Sequence, residues 1–130
     1  MRKLRTDNVV VCEYVAKGAH SKHTLVNVYT GDIIVREFPA TFPLAFYIEI
    51  VPFEDLPEKL TFQVKKGRKV AAEIEVGFKY EKGKTALLTL PQIPITFTKN
   101  VDISVVAMGD GLQTTTVVKK KVSTGEIPSG

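Results

Sequence analysis

The chain has 130 residues, 44% of them hydrophobic and 25% charged, with a formal net charge of +4. That is the length of one domain with a core of its own and the composition of an ordinary globular protein, which excludes a disordered or fibrous chain. The single cysteine excludes an internal disulfide, and no apolar run approaches the roughly 18 residues of a membrane-spanning helix.

The N-terminus is basic, but only Val9-Val10-Val11-Cys12 follows before Glu13. That run is too short for a signal-peptide core, so no secretion signal and a cytoplasmic, reducing location are expected. Residues 8–15 are apolar on both faces, as in a strand buried on both sides. Residues 17–23 form a polar loop carrying His20 and His23. Residues 24–29 read as a second strand, and Thr30-Gly31-Asp32 turns the chain. A short extended piece at 33–36 ends at Phe38-Pro39-Ala40, because proline cannot donate to a central ladder.

Residues 42–66 are the most apolar stretch. Leu44, Phe46, Ile48 and Ile50 alternate with Ala45, Tyr47 and Glu49, the period of a half-buried strand. Pro52 and Pro57 bound a connection, after which Leu60, Phe62 and Val64 alternate with Thr61, Gln63 and Lys65. Lys65-Lys66-Gly67-Arg68-Lys69 is a basic hairpin turn. The longest period-two run follows, with Val70, Ala72, Ile74, Val76, Phe78 and Tyr80 on one face of a strand over 69–80, bent near Gly77. These three strands are expected to be consecutive antiparallel neighbours. Residues 81–84 make a second charged turn, with Lys79, Lys82 and Lys84 about it.

Residues 85–90 form another strand. Pro91-Gln92-Ile93-Pro94 must be irregular or a sheet edge, with 95–97 continuing beyond. Residues 102–108 and 112–122 are paired strands about Gly109-Asp110-Gly111, the last with an edge-like threonine run at 114–116. The expected architecture is all-β: a single antiparallel β-sandwich of seven to nine strands over residues 1–122, with 123–130 a flexible tail. A barrel is the alternative that periodicity cannot separate.

Residues 26–31, followed by Phe38-Pro39-Ala40, the 44–51 strand, the 60–64 strand and the Gly67 hairpin, resemble in order a small bacterial family known only as a domain of unknown function. The resemblance covers residues 9–118. It implies a cytoplasmic sandwich of immunoglobulin-like or C2-like character and brings no active site with it.

No catalytic residue and no cofactor follow from the motifs. His20 and His23 are the metal-ligand candidates, with Cys12 the only soft third ligand; a solvated loop is the simpler reading. Cys12 itself reads as a small core residue. Glu54, Asp55 and Glu58 suit a rigid charged loop better than an acid–base pair or calcium site. The charge is uneven: residues 1–64 hold seven Lys/Arg against eight Asp/Glu, and residues 65–130 hold eleven against six. Lys65, Lys66, Arg68 and Lys69 share one hairpin tip. Lys119, Lys120 and Lys121 close the last strand, where lysines also deter edge-to-edge pairing. Interleaved aromatics for stacking bases are missing. The half-apolar face of Ala45, Tyr47 and Val51 suggests a second layer or a homodimer. The functional expectation is a non-catalytic binding or assembly module for a protein partner, with no membrane association. A basic nucleic-acid-binding domain and a hydrolase without a visible motif are the alternatives.

Overall fold

The computed structural model describes residues 2–20, 22–81 and 83–126; Lys82 of the second charged turn and residues 127–130 of the expected tail lie outside the described residues. All regular structure among them is extended, and no helix is long and apolar enough to cross a membrane. The strands are β1 (Arg2–Lys3), β2 (Thr6–Lys17), β3 (His23–Val28), β4 (Ile33–Val35), β5 (Ala40–Ile50) and β6 (Lys59–Lys66). They continue with β7 (Lys69–Gly77), β8 (Ala86–Phe97), β9 (Val101–Met108), β10 (Leu112–Gln113) and β11 (Thr115–Thr124).

The described residues form eleven strands in three sheets rather than seven to nine in one antiparallel sandwich. A four-stranded sheet has the order β3-β2-β5-β8, a five-stranded sheet β4-β11-β9-β6-β7, and β1 pairs with β10. Two pairings are parallel, β1 with β10 and β4 with β11. The extra elements are two or three residues long, too short to carry a period-two signal, and long-range pairing alone defines them.

Each larger sheet turns one face inward because every second residue of its strands is apolar. Val11, Phe46, Ile48, Leu88, Leu90 and Phe97 from the first sheet share one buried cluster with Leu60, Phe62, Val64, Ile103, Val105 and Val122 from the second. β5 and β6 are therefore not neighbours in one sheet, as their shared periodicity suggested. Residues 51–58 carry the chain across, with Leu56 buried in the core. The crossing is pinned by the Val51 amide donating to the Arg5 carbonyl at 2.9 Å and by the Arg2 guanidinium 3.8 Å over the Phe53 ring. β6 and β7 do form the expected hairpin, from Lys59 opposite Gly77 to Lys66 opposite Lys69. β7 stops at Gly77, and the register shift falls between Val64 and Lys65 instead. Phe78 and Tyr80 continue as loop residues packed against the core.

Pro91 and Pro94 lie within one strand, β8, and the expected sheet edge is where they sit. Leu44 faces Ile93 and Phe46 faces Leu90, so Ala45 opposes two residues of a bulge that accommodates Pro91. The last strand is broken at Thr114 and then runs to Thr124, past the expected tail boundary.

The outer face of the four-stranded sheet is partly covered by its own hairpin. Cys12 and Ala45 sit opposite each other on that face, yet they are 0% and 1% exposed. β2 leaves β5 after Cys12 and pairs only with β3, and the β2–β3 hairpin meets the sheet again: the Gln92 amide donates to the Glu13 carbonyl at 2.7 Å, and the His23 ring lies 6.1 Å from that of Tyr47, edge to face. The Tyr47 hydroxyl donates to Glu49 at 2.6 Å, which raises its pKa. Tyr29, just past β3, lies with its ring 5.9 Å from that of Phe42, tilted by 50°, and donates to the Pro43 carbonyl at 3.3 Å. Burial, then the nearby Glu13 carboxylate, push Tyr29 up to about 12.

Two outcomes follow. Phe62→Ala, at the centre of the shared core, is expected to cost about 3–5 kcal/mol in urea unfolding. Because Tyr29 holds its proton more tightly folded than unfolded, the stability it contributes is complete below pH ~10 and is lost as pH rises towards about 12. Urea titrations at pH 9 and pH 11 should therefore show a smaller loss for Tyr29→Phe than for the unaltered chain.

Candidate basic cleft

The basic turn between β6 and β7 exists because Gly67 takes φ +58, a left-handed conformation that favours glycine, at the hairpin tip. Its amide donates to the Asp102 carbonyl at 2.8 Å, tying the turn to the start of β9. β8 and β9 belong to different sheets, and their connection, residues 98–100, reaches the same end of the molecule. Between the two connections lies a cleft of about 430 Å³ lined by Lys66, Arg68, Lys69 and Lys99, with Gly67, Phe97, Thr98 and Val101. Among the described residues four cations line it and no carboxylate does. The Lys66 ammonium is fixed by donation to the Thr96 carbonyl at 2.8 Å and stands 5.9 Å from the Phe97 ring. Arg68, Lys69 and Lys99 are exposed, which suits capture of an anion from solvent.

Lys99 joins this group only through the fold. In sequence it is an isolated lysine 30 residues after Lys69. Lys65 alternates to the outer face of the five-stranded sheet, where it faces Ser104 of β9, and Ser104 in turn faces Lys119 of β11. The two sequence-distant basic clusters thus meet, Lys65 and Lys119 being about 10 Å apart across two strand spacings. The lysine run is divided by the strand period. Lys119 and Lys121 share the outer face, and Lys119 is paired with Asp102 at 3.4 Å. Lys120 points the other way and donates to the Gly31 carbonyl at 2.8 Å.

The edge role expected for Lys119–121 holds only in part. β11 lies between β9 and β4, but β4 pairs only with Val122, Ser123 and Thr124. At the far end of β7, Lys79 is exposed and Lys84 is paired with Glu81 at 2.9 Å.

The remaining candidates are not brought together. His20 is exposed at φ 57 in the hairpin loop. His23 opposes Lys17 while Cys12 opposes Val28, roughly 16 Å along the same strand. Among the described residues no three His, Cys, Asp or Glu side chains converge as a metal site would require. Cys12 is fully buried, and burial raises its thiol pKa, so little thiolate forms near neutral pH. Its Sγ lies 3.7 Å from the Ala45 carbonyl. Glu58 lines a second cleft, of about 730 Å³, with Lys59, Glu75 and Asp110. There Lys59 and Glu75 neutralise each other at 2.9 Å, and Glu58 and Asp110 leave the lining acidic.

Compared with models of protein families, with curated proteins and with solved structures, the chain matches none.

Proposed function

We propose that this chain is a non-catalytic binding module that receives an acidic protein partner at its basic end. The observation that carries the reading is the cleft of Lys66, Arg68, Lys69 and Lys99, built from two connections and free of carboxylates. Like charges gathered at one place repel one another, and an anion relieves that repulsion while the buried scaffold keeps the cluster assembled. Within this reading the two larger sheets form a β-sandwich of the immunoglobulin-like or C2-like kind. The single core cluster common to both supports it. A cytoplasmic setting fits a chain whose one cysteine is a buried free thiol.

A protein is favoured over a nucleic acid for two reasons. The one ring lining the cleft, Phe97, is 1% exposed and offers no stacking platform. The cations also crowd a single cleft instead of tracking a backbone. The register of Lys65, Ser104 and Lys119 supports the second reading, a basic surface for nucleic acid, because it extends positive charge beyond the cleft. Exposed Tyr14, Val26 and Val28 on the β2–β3 hairpin support a homodimer as a separate possibility for that face.

Binding of poly-glutamate and of a random single-stranded oligonucleotide should be measured side by side by fluorescence anisotropy. Arg68→Glu combined with Lys99→Glu should weaken poly-glutamate at least ~10-fold at low ionic strength, and added salt should weaken it further. Lys79→Glu, at the opposite end of β7, should leave it unchanged. Equal poly-glutamate binding by the double variant would sink the reading. Tighter binding of the oligonucleotide than of poly-glutamate, lost in the same variant, would replace it with the nucleic-acid one.

A further inference from the structure

Exposed strand margins invite pairing with other chains, and proteins blunt them with prolines, bulges, lysines or short length. Three margins of the larger sheets are blunted in these ways. β8 carries Pro91, Pro94 and a bulge. β3 is interrupted by Asn27 at φ 51. On the remaining side, β4 is three residues long, and β11 beyond it carries Lys119, Lys120 and Lys121 with a register shift between Thr116 and Val118.

β7 differs. It ends the five-stranded sheet and runs nine residues with no proline and no lysine after Lys69, and its one bulge, at Ala71 beside the turn, leaves Ala72 to Gly77 in regular register. Among the described residues no strand pairs with its far side. Its core-facing Ala72, Ile74 and Val76 are only half-buried, and Val70 is 43% exposed. The Phe78 amide donates to the Glu58 carbonyl at 2.8 Å, just beyond the Lys59–Gly77 pair. By antiparallel alternation, Val76, Ile74 and Ala72 direct their backbone groups to β6, whereas those of Glu75 and Glu73 point to the open margin. The strand begins at Lys69, beside Arg68, so its open margin leads directly into the basic cleft.

We propose that the acidic partner adds its C-terminal segment to β7 as an antiparallel strand, delivering the terminal carboxylate and adjoining acidic side chains to the Lys66, Arg68, Lys69 and Lys99 cleft. This rests on the reading of the basic end as the partner site. Only a polypeptide can satisfy the unpaired amides and carbonyls of a strand margin. An antiparallel neighbour has its C-terminus beside the N-terminus of β7, which is the basic end. Glu73, whose carboxylate accepts from the uncharged Gln63 amide at 2.9 Å, also restricts where the partner's charge can lie. Glu73 sits about 13 Å along the strand from Lys69, so acidic residues are welcome at the cleft and repelled in the middle. The recognised segment is therefore uncharged or basic for several residues and acidic at its end.

The probe is a fluorescent decapeptide of alternating threonine and valine ending in three glutamates, with a free carboxylate. Glu73→Pro removes an amide directed at the open margin without touching the bonds to β6, and Glu73→Ala controls for the lost charge. Binding should fall about ten-fold or more for Glu73→Pro and stay near that of the unaltered chain for Glu73→Ala. Thermal melts establish that both variants fold. In the unaltered chain, hydrogen exchange at the Glu73 and Glu75 amides should slow when the peptide is added, a readout independent of any variant. Equal affinity of the proline and alanine variants, unchanged exchange, or no binding of the peptide overturns strand addition. If Arg68→Glu with Lys99→Glu still weakens poly-glutamate binding as expected, the acidic-partner reading stands without it.

Discussion

The structure depends on the crossing at residues 51–58. A strand apolar on one face needs a facing layer, and the most hydrophobic part of the chain supplies two such strands in succession. If β5 and β6 paired directly, their apolar faces would lie side by side and still need covering. Crossing between sheets lets Phe46 and Ile48 share a buried cluster with Leu60 and Phe62. Pro52 ends the ladder of β5, and Leu56 buries itself midway, making the connection part of the core. Contacts from Arg2 and Arg5 hold the N-terminus against this segment.

The basic end follows from that division. Because β6 and β7 belong to one sheet and β8 to the other, the β6–β7 turn and the β8–β9 connection converge from separate layers. Lys66 and Arg68 come from the first and Lys99 from the second. Their mutual repulsion is sustained by contacts that do not involve the charges themselves, such as the Gly67 amide on the Asp102 carbonyl. The same end is where the open margin of β7 begins, so concentrated charge and an unpaired strand occur together. Burial and covering of Cys12 at the other face, by contrast, remove its thiol from consideration as a nucleophile.

Much of this was legible from period and punctuation. The inward faces of β5 and β6, that of β7 from Ala72 to Val76, the Gly67 hairpin and the proline-bearing margin of β8 all follow from local chemistry; Val70, expected on the same face, lies opposite Lys65 on the outer one because of the bulge between them. The signals failed where pairing is non-local. β1, β4 and β10 are too short for any pattern, and two of the pairings they make are parallel. Gly77 suggested a bend, but the irregularity in the hairpin lies between Val64 and Lys65, next to the turn. The lysine run 119–121 read as one patch, yet strand alternation sends Lys120 to the Gly31 carbonyl and leaves Lys119 and Lys121 outside.

The sequence by itself determined an all-β chain, the identity of most core residues, and a basic tip at 65–69, because these depend on alternation and turn chemistry within a few residues. Only the tertiary structure decided that residues 42–66 divide between two sheets. It alone brought Lys99 to that tip, set Lys65 in line with Lys119, and left β7 as an open margin. Each of those is a distance between segments far apart in the chain, set by which apolar faces meet, and no local pattern of residues contains it.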